Sequence, residues 1–269
     1  MRVYASTACV AGGLWETLDA YRRAGLRRVE LGASDPPGDR LVERLRELGL
    51  DYLVHNYFPA PTDEFVLNLA SPDGAVLERS RAFVASSLEL AAGLGSPLYS
   101  VHAGFVADPV GFDGTSFVFP EGGDVRAAED RFRYSIEAAG ARARELGLEL
   151  LVENNVCTEA TRGSLLFQTP EEFEALPDVP ILLDTGHLNV SAHTLGFDRR
   201  DFARRHGWRV HAVHLHDNDG SRDAHEPARE GSWALDAVRD SAAEYVVVEA
   251  RFANVERLRD HVEWLSACL

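Results

Sequence analysis

Apolar, β-prone runs alternate with amphipathic helical runs along the whole chain. Eight runs read as strands: Val3 to Ala8, Arg28 to Gly32, Tyr52 to Phe58, Leu98 to Gly104, Glu149 to Asn154, Ile181 to His187, Val210 to Asp217 and Tyr245 to Arg251. Between them, segments such as LWETLDAYRRAGL, RLVERLRELGL, VLERSRAFVASSLELAAGL, AEDRFRYSIEAAGARARELG and the C-terminal NVERLRDHVEWLSACL repeat their apolar residues at intervals of three and four, the helical period. Strands of this kind joined by helical crossovers are the pattern of a parallel sheet covered on both faces. Eight such units predict an α/β fold, a single (β/α)8 TIM barrel forming one domain over residues 1–269, with its active site at the C-terminal ends of the strands. No Gly/Ser linker or low-complexity tract divides the chain. Long irregular stretches are expected at Pro59 to Asp73, Ala107 to Gly123 and Asn218 to Ser232. Each follows a strand, where loops form the barrel mouth and serve as lids or substrate walls.

Side chains alternate faces along a strand, so each polar residue near a strand end can be tested for its direction. In VHAVHLHD, setting Val213 and Leu215 against the helices turns His214 and His216 inward. In ILLDTGH, outward Ile181 and Leu183 leave Asp184 pointing in. Glu153 follows outward Leu150 and Val152, and Glu249 follows outward Val246 and Val248. His55 and His102 obey the same parity. Carboxylates gathered in a low-dielectric mouth repel one another unless a cation compensates them, which predicts a divalent-metal site. Mixed imidazole and carboxylate donors suit Zn or Mn, with Co and Mg as further candidates. His187 belongs to the same region. His216 could orient a ligand from behind instead of binding the ion itself. The loop after the seventh strand adds Asp223 and His225, an Asp-x-His pair able to face one ion. His193, His206, His211 and His261 fall outside this pattern and read as surface or packing residues.

Composition narrows the chemistry. The chain of 269 residues is 45% hydrophobic, enough for one large core, and carries a formal charge of -16. That charge argues against a surface built to neutralise phosphates and against nucleic acid as a partner. Every one of the 27 basic residues is arginine. The absence of lysine removes Schiff-base aldolases, pyridoxal-phosphate enzymes and lysine-bearing phosphate loops. Three cysteines, Cys9, Cys157 and Cys268, form no CxxC pair, so neither a disulfide framework nor a thiolate zinc site is indicated. No stretch approaches the length of a membrane span, and the N-terminus lacks a signal-like apolar region, which together predict a cytoplasmic protein with no membrane partner.

Taken in order, VELG at Glu30, HNYF at His55, SVHAG at His102, LVENN at Glu153, LLDTGHLN at Asp184 and His187, VHLHD at His214, DAH, and VVVEAR at Glu249 resemble the xylose-isomerase-like TIM-barrel superfamily over nearly the whole chain. That superfamily contains sugar-phosphate isomerases and epimerases and nucleases of the endonuclease IV type. The resemblance implies two site readings. In the isomerase and epimerase pattern, Glu153, Asp184, His214 and Glu249 hold one metal. A glutamate, Glu153 or Glu249, then removes the proton beside the carbonyl of a sugar or sugar phosphate through an enediolate, with His187 on a substrate oxygen. In the nuclease pattern, nine ligands hold three zinc ions, and every position is filled: His55, His102, Glu153, Asp184, His187, His214, Asp223, His225 and Glu249. The first reading, a carbohydrate isomerase or epimerase with one to three metals per chain, is preferred on charge. An abasic-site phosphodiesterase is the alternative, and a noncatalytic metal-binding barrel a second one. Glu30, His187, His216 and Arg251 are candidate substrate contacts, Arg251 either for a phosphate or carboxylate or as a salt bridge stiffening the mouth. A homo-oligomer is compatible with the sequence.

Overall fold

The computed structural model describes residues 1–32, 38–61, 63, 65–112, 114 and 117–269. Eight parallel strands close into a barrel in sequence order, β8 returning to β1 through Val3↔Val246 and Ala5↔Val248. The strands are β1 (Arg2–Ser6), β2 (Arg28–Leu31), β3 (Asp51–His55), β4 (Leu98–His102), β5 (Glu149–Glu153), β6 (Ile181–Asp184), β7 (Val210–Leu215) and β8 (Tyr245–Val248). Around them lie α1 (Leu14–Ala24), α2 (Leu41–Leu48), α3 (Gly74–Leu94), α4 (Val125–Glu145), α5 (Thr185–Leu195), α6 (Arg200–His206), α7 (Trp233–Arg239) and α8 (Val255–Cys268). No helix among the described residues is long and apolar enough to cross a membrane.

The alternation of side chains splits the apolar residues into two cores. Outward residues such as Val54, Val152, Leu183, Val213 and Val248 pack with the helices in the larger core. Inward residues Tyr4, Leu53, Leu98, Leu151, Leu182, Ala212, Tyr245 and Val247 fill the barrel interior as a separate cluster. Two residues further along each strand, the pleat returns the side chain to the same side at the next level up. That level is polar: Ser6, His55, Ser100, Glu153, Asp184, His214 and Glu249 stand over the apolar plug.

Two sequence expectations are corrected. The sixth strand ends at Asp184 instead of running to His187, because Asp184 is the N-cap of α5 and its side chain accepts the His187 backbone N–H at 2.7 Å. The crossover between β5 and β6 contains no α-helix; two 3-10 turns, Glu159–Thr161 and Glu172–Ala175, stand in its place. Pro170, Pro177 and Pro180 break any helical run there. Of the expected mouth loops, residues 62, 64, 113, 115 and 116 lie outside the described residues. In the second loop, Gly111–Phe112 pairs antiparallel with Phe117–Val118.

Candidate metal centre

The structure brings all nine sequence-predicted ligands to the C-terminal mouth, where they face three points. At the first, His55 Nε2 lies 3.2 Å from Glu153 Oε2 and 3.4 Å from His102 Nε2, with His102 Nδ1 3.3 Å from the same oxygen. At the second, His214 Nδ1 lies 3.6 Å from Glu153 Oε1, 3.8 Å from Asp184 Oδ2 and 3.3 Å from Glu249 Oε2. At the third, Asp223 Oδ2 is 3.6 Å from His187 Nε2 and 3.0 Å from His225 Nε2. Glu153 contributes one oxygen to each of the first two points.

These separations fit a cation. An ion with tetrahedral bonds of about 2.0–2.2 Å sets its donors about 3.3–3.6 Å apart, the range that most of these pairs occupy. The buried atoms Glu153 Oε1, Glu153 Oε2 and His214 Nδ1 have no hydrogen-bond partner among the described residues. Groups so deeply buried are normally paired, and an ion at their meeting point would supply the partner.

The outer nitrogens of the imidazoles are already committed. His214 Nε2–H donates to Glu30 Oε2 at 3.1 Å, His187 Nδ1–H to the Asn154 carbonyl at 3.0 Å, and His225 Nδ1–H to the Glu249 carbonyl at 3.0 Å. His55 Nδ1 is hydrogen-bonded to Ser100 Oγ at 2.8 Å. Fixing one nitrogen as the donor leaves the other lone pair aimed inward, the arrangement that orients a metal-binding histidine.

Electrostatics describe the same need. Burial pushes Glu153 and Glu249 up, but neighbouring imidazoles outweigh it and hold both carboxyls well below the usual range: His102, His214 and His55 act on Glu153, and His214, His216 and His225 on Glu249. Conversely, burial opposes charge on His214 and His187, yet Glu30, Glu249 and Glu153 hold the first well above its ordinary value, and Asp184 and Asp223 the second. Positive charge at this point, from protons or from cations that compete with them, is what the carboxylates favour. Burial pushes His55 down to about 3, leaving it a neutral donor at physiological pH.

Two expected substrate contacts lie elsewhere. Glu30, 1% exposed, sits behind His214 away from the cavity. His216 is fully buried; its Nε2–H donates to Asp184 at 3.0 Å and its ring stacks on His225 at 4.2 Å. A carboxylate held by both a backbone N–H and an imidazole has one orientation, while His216 Nδ1, buried and without a hydrogen-bond partner among the described residues, faces Asp223 Oδ1 at 3.5 Å, and His216, His225 and Glu249 form a further group able to hold a metal ion. Arg251 is exposed at the rim of a cavity of about 660 Å³ above the three points. His102, His187, Asp223 and His225 reach into that cavity, and all three expected mouth loops contribute to its wall through Leu67, Phe117 and Arg222.

Several supporting residues gave no chemical signal in the sequence. Asn154 holds β6 to β5 by a reciprocal pair, accepting from Asp184 N–H at 2.8 Å and donating to its carbonyl at 3.1 Å. Thr185 Oγ1 donates to the His216 carbonyl at 2.6 Å. Gly186 lies so close to His216 that a Cβ there would stand 2.0 Å from its Cε1.

A family model described as xylose isomerase-like TIM barrel matches residues 18–268. No curated protein matches the chain significantly. Among solved structures, that of a D-tagatose 3-epimerase-like protein is 19% identical, covers 100% of this chain and 99% of its own, and superposes with a TM-score of 0.70. Endonuclease IV from Thermus thermophilus is 23% identical over 99% of this chain and 100% of its own, with a TM-score of 0.60. The TTHB071 protein from the same organism, soaked with ZnCl2, is 22% identical over 100% of this chain and 99% of its own, with a TM-score of 0.65. At these identities the likeness shows the fold.

Proposed function

The chain belongs to the xylose isomerase-like TIM-barrel family, and from that premise we propose that it is a divalent-metal-dependent isomerase or epimerase acting on a sugar or sugar phosphate. The observation that carries this reading is the placement of two glutamates. Glu153 at the end of β5 and Glu249 just beyond β8 face His214 Nδ1 at 3.6 and 3.3 Å, in contact with residues that line a cavity of small-molecule size.

Glu153, Asp184, His214 and Glu249 would hold the ion, with Zn or Mn suited to this donor set and Co or Mg able to replace them. Divalent ions in the proposed set supply Lewis-acid stabilisation of negative charge developing on substrate oxygens. Both glutamates are carboxylates at neutral pH and so can accept a proton. One removes the proton beside the substrate carbonyl, leaving an enediolate. Its return to the neighbouring carbon by the same carboxyl, with the hydroxyl proton passing to the former carbonyl oxygen, gives isomerisation; return to the same carbon on the other face, from the opposite carboxyl once it has taken up a solvent proton, gives epimerisation. His187, part of the cavity wall, contacts a substrate oxygen. Arg251 and Arg222, both lining the cavity and without ion pairs among the described residues, hold a substrate phosphate or carboxylate.

A second reading, metal-dependent phosphodiester hydrolysis, is favoured by the third convergence point, His187, Asp223 and His225. Proton transfer between two glutamates does not require it, whereas a three-ion cluster does. The charge of -16 stands against a duplex substrate.

Metal content and solvent exchange separate the two. One exchangeable ion and deuterium incorporation into a ketose or its phosphate are expected, and Glu153→Gln and Glu249→Gln should each abolish the exchange. About three tightly held zinc ions, with cleavage of an abasic duplex and no exchange on any sugar, would overturn the isomerase reading.

A further inference from the structure

One wall of the cavity is far more apolar than a bare sugar needs. Phe105 follows β4, Phe112 and Phe117 form a cross-strand pair in the hairpin of the next loop, and Phe119 follows that hairpin. Their rings cluster, with centroids 5.4 Å apart for Phe105 and Phe119, 6.2 Å for Phe105 and Phe117, and 5.9 Å for Phe112 and Phe117. All four line the cavity, together with Tyr57 and Leu165. Phe112 and Phe117 are nevertheless 63% and 38% exposed. Val118, paired with Gly111 on the opposite face of the hairpin, is not part of the wall.

The C–H face of one sugar ring covers on the order of one aromatic ring, so a monosaccharide would leave most of this wall in water. A contiguous apolar surface beside a polar site marks the seat of an apolar ligand group. We infer that the substrate carries an apolar ring, an aryl group or a comparably hydrophobic aglycone, attached to its carbohydrate part and seated against Phe105, Phe112, Phe117 and Phe119. The inference rests on the carbohydrate reading of the site.

Calorimetric titration of the zinc-loaded protein with methyl and phenyl β-D-glucopyranoside, and with the corresponding galactosides, tests it. Within at least one pair the phenyl glycoside should bind about tenfold tighter or more, because ring burial adds apolar area that a methyl group lacks. Phe112→Ser and Phe117→Ser should each shrink that ratio, and Val118→Ser should leave it unchanged. Equal affinities within both pairs, or a ratio that survives both phenylalanine substitutions, would overturn this inference alone. Binding of no glycoside would overturn this inference, and deuterium exchange into a free ketose or its phosphate by the same protein would show that the carbohydrate reading survives it. Sedimentation velocity provides a separate check: a dimer of the native chain that Phe117→Ser converts to monomer would assign the wall to a second copy and overturn the inference.

Discussion

At the residue scale, Glu30 changes role once its surroundings are seen. Its motif suggests a substrate contact, yet its Oε2 accepts His214 Nε2–H, and burial raises its pKa against the lowering effect of that imidazole. A carboxylate behind a metal-binding histidine fixes the tautomer and raises the basicity of the ligand nitrogen. Glu30→Gln keeps the volume and an acceptor oxygen but removes the charge. Its zinc affinity, measured by competition with a chromophoric chelator, is expected to fall by about tenfold or more. Unchanged affinity would remove Glu30 from the proposed centre. For His216 the sequence supports an inward direction and leaves ligand, orienter and substrate contact open, because the choice depends on ring positions that alternation along a strand does not determine.

At the element scale, the junction of β6, α5 and β7 sets the geometry of the centre. Asp184 ends the strand, caps the helix and faces the second convergence point, while Thr185 and Gly186 hold α5 against the end of β7. Gly186→Ala places a methyl group 2.0 Å from His216 Cε1, so ring or helix must move. Overpacking of this kind costs about 1–3 kcal/mol, which denaturant unfolding of the metal-free variant should show. A midpoint equal to the parent's would mean the helix start yields freely. On α8, His261 lies between Phe252 and Trp264, each at 5.2 Å, and burial pushes it down to about 4. A folded-state value below the ordinary one contributes stability that is present above that ordinary value, about 6.5, and is lost as the pH falls toward 4. His261→Phe should therefore lose less stability than the parent between about pH 7 and about pH 5, read from urea midpoints at each pH. Equal losses would show that His261 protonates as easily in the folded chain as in the unfolded one.

At the scale of the whole molecule, the barrel brings five carboxylates and six imidazoles into one mouth, from Glu30 on β2 to Glu249 beyond β8. Without ions, protons on His214 and His187 provide the compensation, and that contribution fades as the pH rises through their elevated pKa values. Ions that bind the folded chain add stability in proportion to their affinity. Chelation is expected to lower the thermal midpoint, more at alkaline than at neutral pH, with zinc or manganese restoring it. A midpoint indifferent to chelator at both pH values, in protein whose metal content has been measured before and after, would contradict a metal held by this cluster.

The fold and the inventory of inward side chains follow from local rules that one sequence contains. Apolar period separates strand from helix, and the two-residue repeat of the strand decides which face Glu153, Asp184, His214 and Glu249 take. The same rules are silent on what depends on contacts between distant segments. The three-point grouping of the ligands, the place of Glu30 behind His214 and the crowding of Gly186 by His216 arise where different strands meet. The missing helix between β5 and β6 was hidden by prolines and threonines that read as an ordinary connection. The phenylalanine wall was hidden for the same reason: Phe117 and Phe119 share the two-residue repeat of a strand, but nothing in the sequence joins them to Phe105 and Phe112, and only the hairpin over the barrel mouth makes the four one surface.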